Sequence, residues 1–418
     1  MRKLLGAPGF ARLWVAAFFG ETAEWMLQVA LPVYLFVRTG SAVTTALSIV
    51  LGLLPAVLLS PVAGVVADRW DRRIVLAAVC AGQAVVVLPL LAGAELPVAA
   101  VYTVMAAQAG LASVFEPARS ALVPELVGVE DVTAANGLMS VNGSVARLAG
   151  GWAGGALLGW GGLDRVVLGY LAALALCGTL LAFPFRRTAV RAPVPEHPDW
   201  LAGIRDLAGK RLRATSLSAG LTSMAQGMFL VLFVVFVLDI LRGSEADAGL
   251  LRGVQAIGGL AAGFAVATLA RRVAPKLLQG WGLVAAGLLS LAIWNLPGMT
   301  TMLGVYVGLF MAVGAPAVVS GAGLLSHVQA EAGADRAGRV LSTMYALMAA
   351  GTAAGSLLAG ALVAVTGPTV LLNVQALLHV SAGLVALGWG TRRFRRSRAR
   401  DADTVDQCRL SLPQATST

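Results

Sequence analysis

Charged residues are scarce in this chain. Only 12% of its 418 residues are Asp, Glu, Lys or Arg, whereas an average soluble domain carries roughly 25%. Hydrophobic residues make up 58% of the sequence, and the mean hydropathy is +0.81. A soluble enzyme or nucleic-acid-binding module needs more polar surface than this. The composition therefore indicates a protein that crosses a membrane several times.

Cysteine and histidine are also sparse, with three of each. Cys80 and Cys177 fall in apolar runs and Cys408 in the C-terminal tail, so the sequence shows neither a disulfide framework nor a metal-ligand spacing. No serine stands in a Gly-x-Ser-x-Gly pattern, and no phosphate-binding loop follows a strand. We therefore expect no enzymatic activity, no metal site and no cofactor.

Long apolar runs are abundant instead. A membrane span needs about 20 apolar residues, and only helices or closed barrels satisfy every backbone group in lipid. The runs are too long and too continuous for barrel strands, so we predict an all-α membrane protein. The twelve predicted transmembrane helices lie near 13–37, 42–67, 74–94, 97–117, 133–159, 163–185, 216–241, 247–270, 277–296, 300–324, 338–364 and 368–390.

The net charge of +10 comes from basic residues that gather on one side of these spans. With a cytoplasmic N-terminus, 26 of the 31 Lys and Arg residues fall in inside segments, and only Arg38, Arg165 and Arg242 fall outside. Basic loops stay in the cytoplasm, so this asymmetry places both termini there. It also removes any need to explain the charge by nucleic acid. Arg147 and Arg252 remain within spans.

The chain is predicted to fold as two pseudo-symmetric six-helix bundles, 1–185 and 216–391. A shift of 205 residues aligns Ala149-Gly150 with Ala354-Gly355, Gly155 with Gly360, and Gly162 with Gly367. The connector 186–215 starts proline-rich and ends in an amphipathic pattern that favours a surface helix on the cytoplasmic side. The tail 392–418 is basic and then polar.

One short loop suggests a family. The residues Gly64-Val-Val-Ala-Asp68-Arg69-Trp-Asp71-Arg72-Arg73 follow the second span, and their pattern resembles the signature loop of the major facilitator superfamily of transporters. The sequence departs from that pattern at Asp71, where many members carry Gly. Asp-Arg-aromatic-Asp-Arg-Arg resembles the bacterial branch of drug:proton antiporters that includes macrolide and siderophore exporters.

The resemblance implies a cytoplasmic gate. Asp68 would contact the start of span eleven, Asp335-Arg336-Ala-Gly338-Arg339, and hold the cytoplasmic side shut in the outward-facing state. The alternative is that the loop is only a topology signal. Glu116 and Arg119, at the end of span four, resemble a family segment; they either join this gate or are simply solvated. The predicted gate residues are Gly64, Asp68, Arg69, Arg72, Arg73, Glu116 and Arg119.

Two carboxylates and one guanidinium lie deep in predicted spans. Glu21 and Glu24 sit roughly 13–18 Å into span one, three residues apart on one helix face. A charge there is costly, and two close carboxylates cannot both ionise cheaply, which suits proton uptake and release. We expect Arg147 of span five to pair with Glu24 or Glu21, forming a site for proton coupling beside the substrate cavity. The alternative is a static pair that only fixes helix packing.

Span five also carries a glycine motif, formed by Gly137, Gly150, Gly151, Gly154 and Gly155. It resembles a degenerate form of the motif associated with antiporters, with Ala146 and Gly151 where Gly and Pro are expected. The small residues at 150 and 154 would let helices approach closely and rock at the interface between the bundles, or would only pack tightly. Asp239 and Arg252 are candidates for an outer lock. Apolar lining of the cavity is suggested by Met224, Met228, Phe229, Phe233 and Phe236.

Together these features predict a secondary transporter. We expect it to be a monomer in the bacterial inner membrane that exports a hydrophobic or amphiphilic small molecule, of drug, macrolide or siderophore type, at the expense of the proton gradient. The alternatives are an importer or uniporter of the same fold, or a non-transporting membrane sensor or lipid-handling protein.

Overall fold

The computed structural model describes residues 8–127, 131–183, 205, 207–209, 211–269, 273–332 and 334–388. Within these ranges it gives the backbone alone at 8, 56, 60–69, 94, 121, 133, 266–269 and 334–339. The described residues form helices and short connections, with no strand among them. The prediction of an all-α fold is confirmed.

The helices follow one another with connections of only a few residues wherever the connection is described. They are α1 Pro8–Thr39, α2 Ala42–Arg69, α3 Arg72–Val87, α4 Val98–Val127, a long run Val132–Ala182, α7 Arg213–Val235, α8 Glu245–Leu269, α9 Pro275–Asn295, α10 Leu303–Ala332, α11 Ala334–Thr366 and α12 Pro368–Gly388. A 3₁₀ segment, Leu88–Glu95, extends α3, and a π-helical turn, Phe236–Ile240, extends α7.

The long run Val132–Ala182 is two helices joined at a pair of glycines. Gly161 and Gly162 leave the helical conformation, and Gly162 takes a φ of 74°. A residue with a Cβ adopts that left-handed region only at a cost. The chain therefore reverses here, and α5 (132–160) and α6 (163–182) run on either side. Gly367, which the sequence repeat aligns with Gly162, takes a φ of 81° between α11 and α12.

Among the described residues, ten helical runs are long and apolar enough to cross a membrane by length and composition. The run 134–182 counts once among them although it is bent at its glycine pair, and α1 is not among them. The number of twelve crossings therefore stays a prediction, while the multi-pass character is clear.

Equivalent helices of the two halves make equivalent contacts. In the first half α1 packs on α5 and α2 on α4, and in the second α7 packs on α11 and α8 on α10. Added Cβ atoms would collide with α1 backbone at Gly150 and with α7 backbone at Gly355. The repeat detected at these glycines thus corresponds to the same packing position in each half.

The two halves meet through α5 on α8 and through α2 on α11. A Cβ at Gly155 would lie 2.8 Å from the Cα atom of Gly249, and one at Gly360 would lie 2.7 Å from the Cβ atom of Ala46. Gly155 and Gly360 are again partners in the sequence repeat. Backbones come this close only where side chains are small.

These contacts correct part of the glycine interpretation. Gly150 and Gly154 face Thr22 and Met26 of α1, inside one bundle, whereas Gly151 and Gly155 face α8 of the other bundle. Gly137 has no neighbour within 4 Å of an added Cβ. Successive residues on a helix point about 100° apart, so each adjacent glycine pair serves two different interfaces.

The connector and the tail are mostly outside the described residues. Of the predicted surface helix, 199–211, the structure describes 205, 207–209 and 211, and Leu207 packs in a buried cluster with Leu212, Val328, Val340 and Met344. The domain boundaries and the conformation of 392–418 stay predictions.

Candidate functional site

The ends of the helices define two sides of the molecule. The lower side is where α1 begins and α4 ends, and the upper side is where α1 ends and α8 begins. On the lower side, Arg12 and Arg73 donate to the carbonyl oxygens of Phe183 and Ala182 at distances of 2.9 and 3.0 Å. On the upper side, Arg38 donates to the carbonyl oxygen of Leu96 at 2.6 Å.

A polar cavity of about 460 Å³ lies in the lower half, between α1, α4, α5 and α10. Its charged groups are Glu21, Glu116, Arg119 and Arg147. Arg119 donates to Glu21 and to Glu116, the latter at 2.7 Å, and the side chain of Glu116 is 60% exposed at the rim. We call this space the lower cavity.

The structure corrects the predicted pairing of Arg147. Glu21 pairs with Arg119 of α4, a residue 98 positions away, and among the described side chains no carboxylate lies within ion-pair distance of Arg147. A Cβ at Gly143 would lie 2.5 Å from a Glu21 oxygen, so the missing side chain makes room for this carboxylate. Arg119 pairs with both Glu21 and Glu116, so neither Arg119 nor Glu116 is merely solvated.

Glu24 faces a different space from Glu21. It lines a small cavity of about 90 Å³ inside the first bundle with Gln28, Gln83, Gln108 and Tyr170. Gln28 donates to Glu24 at 3.4 Å, and the Tyr170 hydroxyl donates to Gln108 at 3.1 Å. The two acids do not share one environment as expected, because 60° of helix rotation separates them. We call this space the glutamate cavity.

Two guanidinium groups lie near the Trp25 ring. The guanidinium carbon of Arg147 is 5.6 Å from the centre of the Trp25 ring, and that of Arg252 is 6.0 Å from the same centre. Arg252 also lies 5.2 Å from the centre of the Phe229 ring. Cations are attracted to aromatic faces at these distances. One arginine comes from each bundle, so Trp25 sits at the interface.

An apolar cavity of about 240 Å³ opens on the upper side of Trp25, between the bundles. Arg252 is the one charged residue among the described residues of its lining. Phe229 and Phe233 line it as predicted; Met228 and Phe236 are buried elsewhere in the core. We call this space the central pocket. Its lining also includes Trp25, Gln28, Val29, Pro32, Ile49 and Leu53.

The proposed outer lock is not formed in this structure. Asp239 lies exposed in the π-helical turn at the upper end of α7, whereas Arg252 lies two turns into α8 against Trp25 and Phe229. Among the described ion pairs none joins these two residues. Arg252 therefore belongs to the central pocket.

The signature loop starts within the end of α2, and its side chains are described from residue 70 onward. Asp71 is the N-cap of α3 and accepts a hydrogen bond from the backbone N–H of Arg73 at 2.9 Å. Arg72 pairs with Glu125 near the end of α4. Only the backbone is described at Gly64, Asp68, Arg69 and the start of α11, so the gate itself stays a prediction.

Sequence reasoning missed most of the partners in these cavities. Arg119 was expected at the gate, and Arg252 at the outer surface. Gln83, Gln108 and Tyr170 carried no motif. The sequence feature that could have identified them is a polar side chain within an apolar run, since a buried polar side chain needs a hydrogen-bond partner.

Comparison with known families supports the transporter interpretation. The model of the Major Facilitator Superfamily matches residues 13–342. Among curated proteins, the chain is 28% identical over 404 residues to the enterobactin exporter EntS of Escherichia coli O127:H6, covering 93% of this chain and 94% of that protein. The corresponding exporter of Salmonella choleraesuis is 27% identical over 403 residues, with the same coverage.

Solved structures share the fold at low sequence identity. A bacterial homologue of the iron transporter ferroportin, in an inward-facing state, has a TM-score of 0.69 at 18% identity and covers 91% of this chain and 98% of its own. The POT family transporter PepTSo has a TM-score of 0.74 at 9% identity, covering 92% and 98%. Identities this low relate the folds alone.

Proposed function

This chain belongs to the Major Facilitator Superfamily, and we propose that it exports a hydrophobic or amphiphilic small molecule in exchange for protons. Membership in a superfamily of transporters, rather than of enzymes, agrees with the expectation from the sequence. The observation that carries the proposal is the central pocket. It is walled by both bundles, and a small movement of one bundle against the other would change access to it.

Alternating access would use the close glycine contacts on the upper side. Gly151 and Gly155 hold α5 against α8, and Gly360 holds α11 against α2. The lower cavity meanwhile reaches an exposed rim at Glu116. This combination fits a state that is closed above and open below. With the topology inferred from the basic residues, the lower side is cytoplasmic in the proposal.

Glu24 is the proposed proton carrier. Its described neighbours in the glutamate cavity are neutral, and its hydrogen-bond donor is an amide. A carboxyl group in such a place can exchange its proton without breaking an ion pair. Glu21 differs, because it is paired with Arg119, so proton exchange there would disrupt an ion pair. We therefore assign coupling to Glu24, and to Glu21 and Arg119 the positioning of α1 against α4.

Export of a siderophore-type or drug-type compound rests on the named relatives and on the apolar lining of the central pocket. Enterobactin, which the relatives are named for exporting, and erythromycin, an amphiphilic macrolide, are suitable probes. The central pocket alone is small, so a large probe would need the lower cavity as well, and Trp25 lines both spaces.

The test is proton movement that depends on the probe in proteoliposomes containing a pH-sensitive dye. Wild-type protein is expected to move protons opposite to the probe, while Glu24→Gln stops proton movement and leaves probe binding intact. Glu95→Gln is the matched control, because Glu95 is exposed at the upper end of the α3 extension. Probe transport without proton movement in the wild-type protein would indicate a uniporter, and co-directional movement an importer.

A further inference from the structure

We propose that the ligand held at Trp25 is an organic anion with an aromatic or otherwise planar apolar body, and that Arg147 and Arg252 bind its acidic group. The inference rests on the proposed function because it names the substrate class of the same pocket. It starts from two positive charges at the interface of the bundles that have no described counter-charge.

The guanidinium groups remain charged, because arginine does not lose its proton in proteins. Positive charge within a membrane protein is costly unless it is paired or hydrated. Arg147 has no described ion pair, and its buried Nε atom has no hydrogen-bond partner. Arg252 has one long contact of 3.4 Å with the neutral amide of Gln255.

The nearby carboxylates are committed elsewhere. Glu21 and Glu116 both accept from Arg119, and Glu24 faces the glutamate cavity. Glu245 lies at the start of α8, two turns nearer the upper side than Arg252. The described lining of the central pocket holds no carboxylate. An acidic group on the ligand would therefore supply the missing negative charge.

Each arginine comes from a different bundle. Arg147 extends from α5 toward α8, because a Cβ added to Gly259 would lie 3.5 Å from its Nη2 atom. Arg252 projects from α8 over Trp25 of α1. A ligand anion between them would neutralise both sides at once, and the fork of N–H donors on arginine matches a carboxylate. Binding would thus draw the bundles together around the ligand.

The aromatic and apolar groups define the rest of the ligand. The Trp25 ring lines both the lower cavity and the central pocket, and the Phe229 and Phe233 rings lie 5.4 Å apart in the pocket wall. Planar apolar bodies stack on such rings. The acidic group would lie beside Trp25, and the body would extend upward along Val29, Ile49 and Leu53.

The experiment uses three probes that share one body: naphthalene-2-carboxylate, naphthalene-2-carboxamide and naphthalene-2-methylammonium. Binding to the full-length protein in nanodiscs is measured by calorimetry at low salt, with empty nanodiscs subtracted. We expect the carboxylate to bind at least about tenfold more tightly than the amide, and the ammonium to bind least. No transport, direction or proton coupling is needed for this readout.

Variants assign the effect to residues. Arg252→Gln and Arg147→Gln should each reduce carboxylate affinity to about that of the amide, without changing affinity for the amide. Arg165→Gln is the matched control, because Arg165 also stacks on a tryptophan, Trp160, at 5.4 Å, but outside the cavities. The ligand-free melting temperature of Arg252→Met should equal or exceed that of the wild type, since an unpaired charge is removed.

Equal or tighter binding of the amide or ammonium, or no saturable binding of the carboxylate, would overturn the proposal. So would unchanged carboxylate affinity in both arginine variants, or a lower melting temperature in Arg252→Met, which would reveal a structural partner. Carboxylate preference without proton movement in liposomes would leave this inference standing and overturn the proposed proton coupling. Proton-coupled transport of neutral probes alone would leave the proton coupling standing and overturn this inference.

Discussion

Glu21 of α1 accepts a charged hydrogen bond from Arg119 of α4, across 98 residues of sequence. Their side chains are 16% and 11% exposed. This pair, rather than one with Arg147, joins α1 to α4 within the first bundle. It leaves Arg147 and Glu24 outside the described ion pairs, so the proposed ligand contact and the proposed proton transfer fall on residues that the sequence had placed in one cluster with Glu21.

Removing the Glu21 charge should destabilise the protein. Glu21→Gln leaves Arg119 with Glu116 as its described carboxylate partner, and the lost charged hydrogen bond corresponds to about 1–3 kcal/mol. The melting temperature of Glu21→Gln, followed by tryptophan fluorescence in detergent, should fall below that of the wild type. It should fall less in Glu24→Gln, because the hydrogen-bond donor to Glu24 is the neutral amide of Gln28. Glu95→Gln serves as the exposed control. Equal melting temperatures in Glu21→Gln and Glu95→Gln would contradict the importance of this pair.

A methyl group at Gly155 should loosen the upper contact between the bundles. In Gly155→Ala the new Cβ would lie 2.8 Å from the Cα atom of Gly249, so α5 and α8 must move apart. We expect slower transport and faster labelling of a cysteine at position 246 by a membrane-impermeant maleimide, in a Cys408→Ser background.

Gly137→Ala is the matched control for that variant, because no atom lies within 4 Å of its added Cβ. The control should behave like wild type in both assays. If labelling and transport in Gly155→Ala matched those of the wild type, the glycine contact would not set access to the upper side.

The N-cap of α3 predicts an ordering of variants at Asp71. The side chain caps the helix through the N–H of Arg73. Replacing an N-cap Asp by Ala costs about 0.5–2 kcal/mol, whereas Gly is a better cap than Ala. Asp71→Ala should therefore have a lower melting temperature than Asp71→Gly, with Asp71→Asn closest to wild type. This preference also gives a physical reason why Gly in the family pattern and Asp here suit the same position. A melting temperature of Asp71→Ala equal to or above that of Asp71→Gly would argue against a capping role.

The gate prediction concerns Asp68, whose side chain lies outside the described part. If Asp68 holds the cytoplasmic side shut in the outward-facing state, Asp68→Asn should reduce turnover and shift the resting population toward the inward-open state. Labelling of a cysteine at position 140, which lines the lower cavity, should then become faster from the cytoplasmic side. A topology signal alone would leave the labelling rate as in wild type.

Several features followed from sequence because they depend on local pattern. Apolar run length predicted the helices, and the Asp-Arg-x-x-Arg-Arg loop indicated the family that the comparison confirms. The glycine repeat was visible because the same close approach recurs in both halves, at Gly155 and Gly360. The π-helical turn at 236–240 was not foreseen, since no residue type marks it.

The sequence by itself determined the depth of each charged side chain, because every helical residue advances about 1.5 Å along the axis. Only the tertiary structure decided which charges meet. Helix rotation and helix neighbours set that choice, and both depend on packing between segments far apart in sequence. Rotation of about 60° sends Glu21 to Arg119 and Glu24 to a neutral cavity. The contact of α1 with both α5 and α8 places Arg147 and Arg252 around Trp25, a meeting that no local pattern encodes.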